Sequence, residues 1–113
     1  MKYMMLIYDT EQSWGEMSES EQQQMLKEYG KFTEDLAAGG HLVAGSQLAP
    51  SSTATSVRVR DGKRLLTDGP FAETREQLGG YYVVEADNLD EAIGIAERIP
   101  SSRFGTVEVR PLC

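Results

Sequence analysis

Cysteine, histidine and proline are scarce in this sequence. Its 113 residues include one cysteine, Cys113, one histidine, His41, and four prolines. A lone cysteine excludes an intrachain disulfide and a metal site built from thiolates, and it fits a reducing compartment. No segment approaches the roughly 20 apolar residues of a membrane-spanning helix, and the apolar run at 3–8 is too short for a secretory signal. We therefore expect a cytoplasmic protein that does not bind membranes.

Basic residues are also few. Eleven lysines and arginines stand against 18 aspartates and glutamates, giving a net charge of -7, which argues against direct binding to nucleic acid. Residues 9–39 hold eight acidic residues and two lysines, whereas residues 58–64 hold four basic residues and one acidic residue. The basic segment has two interpretations, since it could steer an anionic ligand or form the solvated face of a hairpin.

The remaining composition is that of one globular domain spanning residues 1–113, with 40% hydrophobic and 26% charged residues. Apolar runs and alternation predict strands at 2–8, 41–48, 55–60, 63–67, 78–86 and 103–110. Asp61-Gly62 between two of these runs is a strong hairpin signal. On the strand from 78 to 86, Tyr81 and Tyr82 are expected on opposite faces, one beside a cleft and the other at an interface.

Two capping boxes mark helices at 19–38 and 89–99, one formed by Ser18 with Glu21 and the other by Asn88 with Glu91. The residues between Asp9 and Ser18 are expected to form a polar loop. Periodicity of 3.6 residues predicts the buried stripe of each helix. These stripes are Met25, Leu26, Tyr29, Phe32 and Leu36 in the first helix, and Leu89, Ala92, Ile93, Ala96 and Ile99 in the second.

Apart from the hairpin, the order of elements is βαββαβ. This order predicts an α+β, ferredoxin-like fold, an antiparallel sheet with both helices on one face and an inserted β-hairpin. The other face of the sheet would then expose a large apolar patch, which monomers rarely do. Sheet-to-sheet pairing would cover it, so the sequence predicts a homodimer.

The stretch from Asp68 to Tyr82, DGPFAETREQLGGYY, resembles the signature of the YCII-related family in its DGPF subgroup. The opening KYMMLIY, the segment STAT at 52–55, the hairpin VRVRDGK and the ending VEVRP extend the resemblance over nearly the whole chain. The resemblance implies a dimeric α+β barrel. It also implies that most relatives of the DGPF type have no established activity.

The wider family includes an enzyme that removes hydrogen chloride from a chlorinated muconolactone-type compound with a His/Asp pair. Many relatives of the DGPF type are associated with extracytoplasmic-function sigma factors. The enzymatic branch carries its histidine on the first helix, whereas here residues 19–38 contain none. The family's catalytic histidine is therefore not assigned to any position of this chain.

Two residues are candidates for catalysis. Asp68, in a Gly-Pro turn, could act as a general base if burial raised its pKa, and the alternative is a structural role in holding that turn. His41 has an ordinary pKa near neutrality, and the alternative is a surface or interface residue. A reaction of the lyase or isomerase type would need the two to meet.

Four residues are candidates for binding a substrate: Arg75, Glu73, Tyr81 and Phe71. Arg75 could clamp a carboxylate through two hydrogen bonds, or it could pair with Glu73 or Asp68 and hold the loop. Phe71 could stack on a ligand or fill the core or the dimer interface. The hydroxyl of Tyr81 could donate to a ligand oxygen.

No metal-ligand spacing, phosphate loop or nucleophile elbow is present, so no cofactor is expected. Three functions stay open. The first is a homodimer that binds a small organic ligand, the second is a lyase or isomerase that uses Asp68, and the third is a module that associates with a sigma factor through the acidic residues of the first helix.

Overall fold

The computed structural model describes all residues from 1 to 113. Its strands are β1 (Lys2–Asp9), β2 (Leu42–Gln47), β3 (Thr55–Arg60), β4 (Lys63–Asp68), β5 (Gln77–Glu85) and β6 (Thr106–Pro111). Its α-helices are α1 (Glu11–Glu16), α2 (Glu19–Ala38) and α3 (Leu89–Ala96). Two short 3₁₀ helices, Ser51–Thr53 and Pro100–Arg103, complete the chain.

Four strands form an antiparallel sheet in the order β2-β5-β1-β6. This order, with α2 between β1 and β2 and α3 between β5 and β6, is compatible with a ferredoxin-like fold. A register shift between Ile7 and Tyr8 leaves Gly79 of β5 without a partner, a β-bulge. The bulge lies beside the end of β1, where Asp9 begins the turn into α1.

The core lies on one face of this sheet. Along β1, Tyr3, Met5 and Ile7 are buried while the residues between them are half-buried, as the two-residue period of a strand requires. Eleven buried residues form one cluster drawn from β1, α2, β5, α3 and the turns beside α3. They are Tyr3, Met5, Ile7, Phe32, Leu36, Val84, Ala86, Ala92, Ile95, Ala96 and Ile99.

The capping of α2 agrees with the sequence prediction, since Ser18 and Glu21 exchange both hydrogen bonds of a capping box. Both predicted stripes need correction. In α2, Leu26 is exposed. In α3, Ile95 is buried, whereas Leu89 and Ile93 are exposed, and the helix ends at Ala96 and not at Ile99. The shorter helix is rotated so that Ala92, Ile95 and Ala96 contact the sheet, which brings small side chains against it.

The predicted polar loop before Ser18 is also corrected, because residues Glu11–Glu16 form α1. Thr10 caps this helix by accepting a hydrogen bond from the Ser13 amide. Gln22 of α2 donates to the Trp14 carbonyl at 2.9 Å, which holds α1 against the start of α2. An amphipathic stripe is missing from this six-residue helix, and none of its residues is buried, so periodicity could not have revealed it.

Strands β3 and β4 pair only with each other, in a two-stranded antiparallel sheet. Asp61 and Gly62 both have positive φ, 52° and 73°, which is the conformation of a type I′ turn. At the base, the Gly69 amide donates to the Ala54 carbonyl at 2.6 Å. The two ends of the hairpin, at Ala54 and Gly69, are therefore adjacent in space.

Candidate functional site

A cavity of about 790 Å³ lies between the helical layer and one edge of the sheet. The loop after β1, together with α1 and α2, forms one wall, and residues 45–50 with the start of β5 form the other. Ser101 and Phe104 contribute from the turn after α3. We call this cavity the cleft.

Apolar and aromatic side chains make up the outer part of the cleft. Trp14 and Met17 reach it because the Thr10 and Ser18 caps fix α1 and the start of α2. Phe104 faces the same space from the segment before β6. Three further side chains on these walls are Met25, Leu26 and Leu48. The walls thus resemble those of pockets for small organic molecules, in which apolar side chains predominate.

The inner part of the cleft, which we call its floor, contains a chain of hydroxyl groups that ends on a carboxylate. The Ser101 hydroxyl donates to Asp9 Oδ2 at 3.2 Å. Its oxygen lies 2.6 Å from the Tyr29 hydroxyl, which must be the donor because the single Ser101 hydrogen is already used. Proton donation therefore runs from Tyr29 to Ser101 to Asp9, and Asp9 Oδ1 accepts no hydrogen bond from the chain.

A second chain of hydroxyl groups borders the first. The Thr33 hydroxyl donates to the Tyr29 carbonyl at 2.9 Å, so at the 2.8 Å contact with Tyr82 the tyrosine donates to Thr33. The Tyr82 ring also packs edge-on against Phe32, with ring centroids 5.3 Å apart. Both tyrosines of the floor are thus held in place with their hydrogens directed to protein atoms.

Burial changes the acidity of both ends of the first chain. Loss of solvent raises the pKa of Asp9, the Ser101 hydrogen bond opposes this, and the charges of Glu76 and Glu11 add to the rise. Burial likewise raises the pKa of Tyr29, and its contact with Ser101 partly offsets the effect. No arginine, lysine or histidine lines the cleft.

Glu11 has a structural role at the rim. Its two carboxylate oxygens accept from the amide and the hydroxyl of Ser51, at 2.6 and 3.0 Å. Its own amide donates to Gln77 Oε1 at 3.0 Å. These bonds connect the first turn of α1 to the 3₁₀ helix at Ser51–Thr53 and to the start of β5, so they fix the separation of the two walls.

The sequence model of one protein family, described as YCII-related domain, matches residues 1–113. The chain belongs to the YCII-related family. It is also similar to an uncharacterized protein of Rhizobium meliloti (strain 1021), with 32% identity over 114 residues that cover 99% of this chain and 92% of that protein. The sequence resemblance to the family is therefore confirmed over the full length.

In this YCII-related protein, the candidates of the loop from Asp68 to Gln77 lie apart from the cleft. The Asp68 side chain is exposed at the end of β4, and the turn after it is held by Ser56, whose hydroxyl donates to the Gly69 carbonyl at 2.9 Å. Phe71 is 78% exposed, which excludes the interpretation that it fills the core of one chain. Glu73 and Arg75 are exposed and form no ion pair.

His41 is half-buried at the edge of the sheet beside α3. Its Nδ1 lies 2.8 Å from the Glu85 carbonyl, which assigns the hydrogen to Nδ1, and 3.9 Å from Glu91. Asp68 is not among the hydrogen-bond or ion-pair partners of His41 within one chain. Their joint action in catalysis stays a prediction.

Tyr81 and Tyr82 occupy opposite faces of β5, as predicted from strand alternation, since Tyr82 pairs with Met5 of the core face and Tyr81 with Leu6 of the other face. Both border the cleft. The sequence reasoning missed Asp9, Tyr29 and Ser101. The available signals were an acidic residue directly after a buried strand and a tyrosine within the buried stripe of α2.

Two findings complete the description of the site. No group of three or more His, Cys, Asp or Glu side chains is arranged to hold a metal ion. None of the helices is both long enough and apolar enough to cross a membrane.

Proposed function

We propose that this YCII-related protein binds a small organic molecule in the cleft between α1, α2 and the β2–β5 edge of the sheet. The observation that carries the proposal is the combination of a 790 Å³ space with a hydrogen-bonded floor of Asp9, Ser101 and Tyr29. Pockets for small molecules have volumes of roughly 300–1,000 Å³, with apolar walls and a few fixed polar groups.

Gly30 offers a way to test this proposal. It lines the cleft from α2, and a Cβ atom built on it meets no other atom within 4 Å. Gly30→Leu should therefore occupy the cleft without disturbing α2. Gly94→Leu is the matched control, because Gly94 is also helical with free space around its Cβ and lies outside the cleft.

The experiment compares thermal unfolding of the wild type and both variants across a broad metabolite set. A ligand of the cleft should raise the unfolding temperature of the wild type and of the control variant Gly94→Leu, but not that of Gly30→Leu. A ligand that stabilises all three proteins equally would place binding elsewhere. If no compound stabilises any of them, the proposal fails.

We further propose that two copies pair through the face of the sheet opposite the helices. Support comes from the register, which places Met4, Leu6, Val83, Tyr81 and Ala44 together on that face. All except Ala44 are half-buried by their neighbours alone, and no helix covers them. Such an apolar strip fits a second copy of the same strip.

We also propose that the chain belongs to the DGPF subgroup of the family, which the stretch from Asp68 to Tyr82 supports.

Leu6→Lys tests the pairing, because it places a charge in the middle of the strip. Sedimentation velocity should show a dimer for the wild type and a monomer for Leu6→Lys. Leu65→Lys, an exposed position of β4, should leave the dimer intact. A monomeric wild type at micromolar concentration contradicts the proposal.

A further inference from the structure

The floor of the cleft consists of hydrogen-bond acceptors. The hydrogen of Tyr29 is used on Ser101, that of Ser101 on Asp9, that of Tyr82 on Thr33 and that of Thr33 on the Tyr29 carbonyl. What remains for a ligand is the free Asp9 Oδ1 and lone pairs of the tyrosine oxygens. A ligand must therefore supply the hydrogens, and one that brings only acceptors would find no partner on the floor.

The charge of the cleft has one sign. Asp9 and Glu11 line it, Glu76 is close enough to Asp9 to influence its pKa, and no basic side chain is among the lining residues. Asp9, Glu11 and Glu76 take part in no ion pair within the chain. An anionic ligand would be repelled here, whereas a cation would give Asp9 the oppositely charged partner that it lacks.

The walls suit the rest of such a cation. Trp14 and Phe104 bring aromatic rings to the outer part of the cleft, and Tyr29 and Tyr82 bring theirs to the floor. Aromatic faces attract cations within about 6 Å of the ring centre and also cover apolar groups. The side-chain N–H donors on the wall belong to Trp14 and Gln47, which are both exposed.

We propose that the ligand of the cleft is an organic ammonium ion, with its nitrogen at Asp9 Oδ1 and the tyrosine oxygens and its apolar part between the aromatic side chains. An ammonium group has three donors and one positive charge, which match the acceptors and the charge of the floor. This inference rests on the proposed function. Arg75 does not line the cleft, so clamping of a substrate carboxylate by Arg75 plays no part in this inference.

Three probes of one size separate the possibilities by calorimetry: phenethylamine, phenethyl alcohol and phenylacetate. The amine should bind at least about tenfold more tightly than the alcohol, the size of one hydrogen bond to a charged group, and phenylacetate should bind most weakly. Asp9→Asn keeps the shape of the side chain and should remove the preference for the amine while binding of the alcohol is unchanged. Gly30→Leu should abolish binding of the amine, and Gly94→Leu should not.

A pH titration of the wild type gives a second measurement that needs no variant. Binding of the amine should weaken as the pH falls through the raised pKa of Asp9, which faces Tyr29 and Ser101 and lies near Glu11 and Glu76, whereas binding of the alcohol should not. Equal binding of all three probes, or tighter binding of phenylacetate, overturns the preference for a cation and leaves the proposed function intact. If none of the probes binds at millimolar concentration, both this inference and the cleft as a site for molecules of this size are overturned.

Discussion

The β3–β4 hairpin and the four-stranded sheet use the same kinds of apolar residue with opposite results. Val57, Val59, Leu65 and Leu66 of the hairpin are exposed, and no residue between 43 and 76 belongs to the core cluster. The sheet buries its residues because α2 and α3 lie against it. Strand pairing and turn chemistry thus shape the hairpin without a contribution from the core, whereas burial requires a second layer.

A matched pair of leucines should show the largest difference between the two regions. Leu36 of α2 is 2% exposed and Leu66 of β4 is 57% exposed. Leu36→Ala should lower the free energy of unfolding by about 2–5 kcal/mol through lost burial and a cavity, and Leu66→Ala by less than about 0.5 kcal/mol. Denaturant unfolding measures both. Similar losses in the two variants would mean that the hairpin is covered in solution.

A pair of glycines tests whether the hairpin opens independently. Gly62 has φ +73°, so Gly62→Ala should cost about 1 kcal/mol and speed hydrogen exchange of the hairpin amides about fivefold. Exchange in the core strands should not change. Gly30→Ala, in open space on α2, should instead raise global stability by about 0.5–1 kcal/mol. Faster exchange of the core strands in Gly62→Ala would contradict independence.

Excision of the hairpin should have a smaller effect on the remaining protein. The Ala54 carbonyl and the Gly69 amide are 2.6 Å apart, so residues 55–68 can be replaced by a two-residue glycine link. The unfolding temperature should move by a few degrees at most, because the removed strands pack mainly on each other. Failure of the shortened chain to fold would show that β3 and β4 stabilise the sheet.

Acid titration should give the smallest effect, and it concerns the unit that contains the cleft. The pKa of Asp9 is raised in the folded protein, so the folded state keeps this proton at a pH where the unfolded chain has lost it. The contribution of Asp9 to stability therefore grows as the pH falls from above the folded pKa to the unfolded value of 3.8 and is constant below it. Relative to Asp9→Asn, the wild type should gain stability over this range.

Glu28 provides the comparison of opposite sign for that titration. Its hydrogen bond with Arg103 holds the pKa of Glu28 below the usual 4.5. Its stabilisation is present above pH 4.5 and is lost as the pH falls through the folded pKa. The wild type should thus lose stability relative to Glu28→Gln as the pH falls. Parallel curves for the wild type and both variants would contradict the two assignments.

Most of the fold could be predicted because its signals are local. The continuous apolar run at 3–8, the capping box at Ser18 and the Asp61-Gly62 turn each act within a few residues. The rotation of α3 could not be predicted, because Leu89, Ile93 and Ile95 fit a helical stripe equally well. The sheet decides between them, and it is built from residues far away in sequence.

The candidate site was harder to predict than the fold. The sequence reasoning favoured residues whose chemistry is evident in isolation, such as His41 and Asp68. Asp9 and Ser101 are 92 positions apart and meet only when β1 and the turn after α3 are in place. Neither residue lies within a sequence motif that would mark it as part of a site. A site made from ordinary side chains becomes visible only through contacts between distant parts of the chain.

The position of Trp14 has a practical consequence. It is the only tryptophan of the protein, and it lies on the wall of the cleft with 36% of its surface exposed. Its fluorescence therefore reports on the cleft and carries no contribution from β3 or β4. A ligand that displaces water from the indole should shift the emission to shorter wavelength, whereas opening of the hairpin should leave the spectrum unchanged. The protein thus contains its own label-free sensor of occupancy.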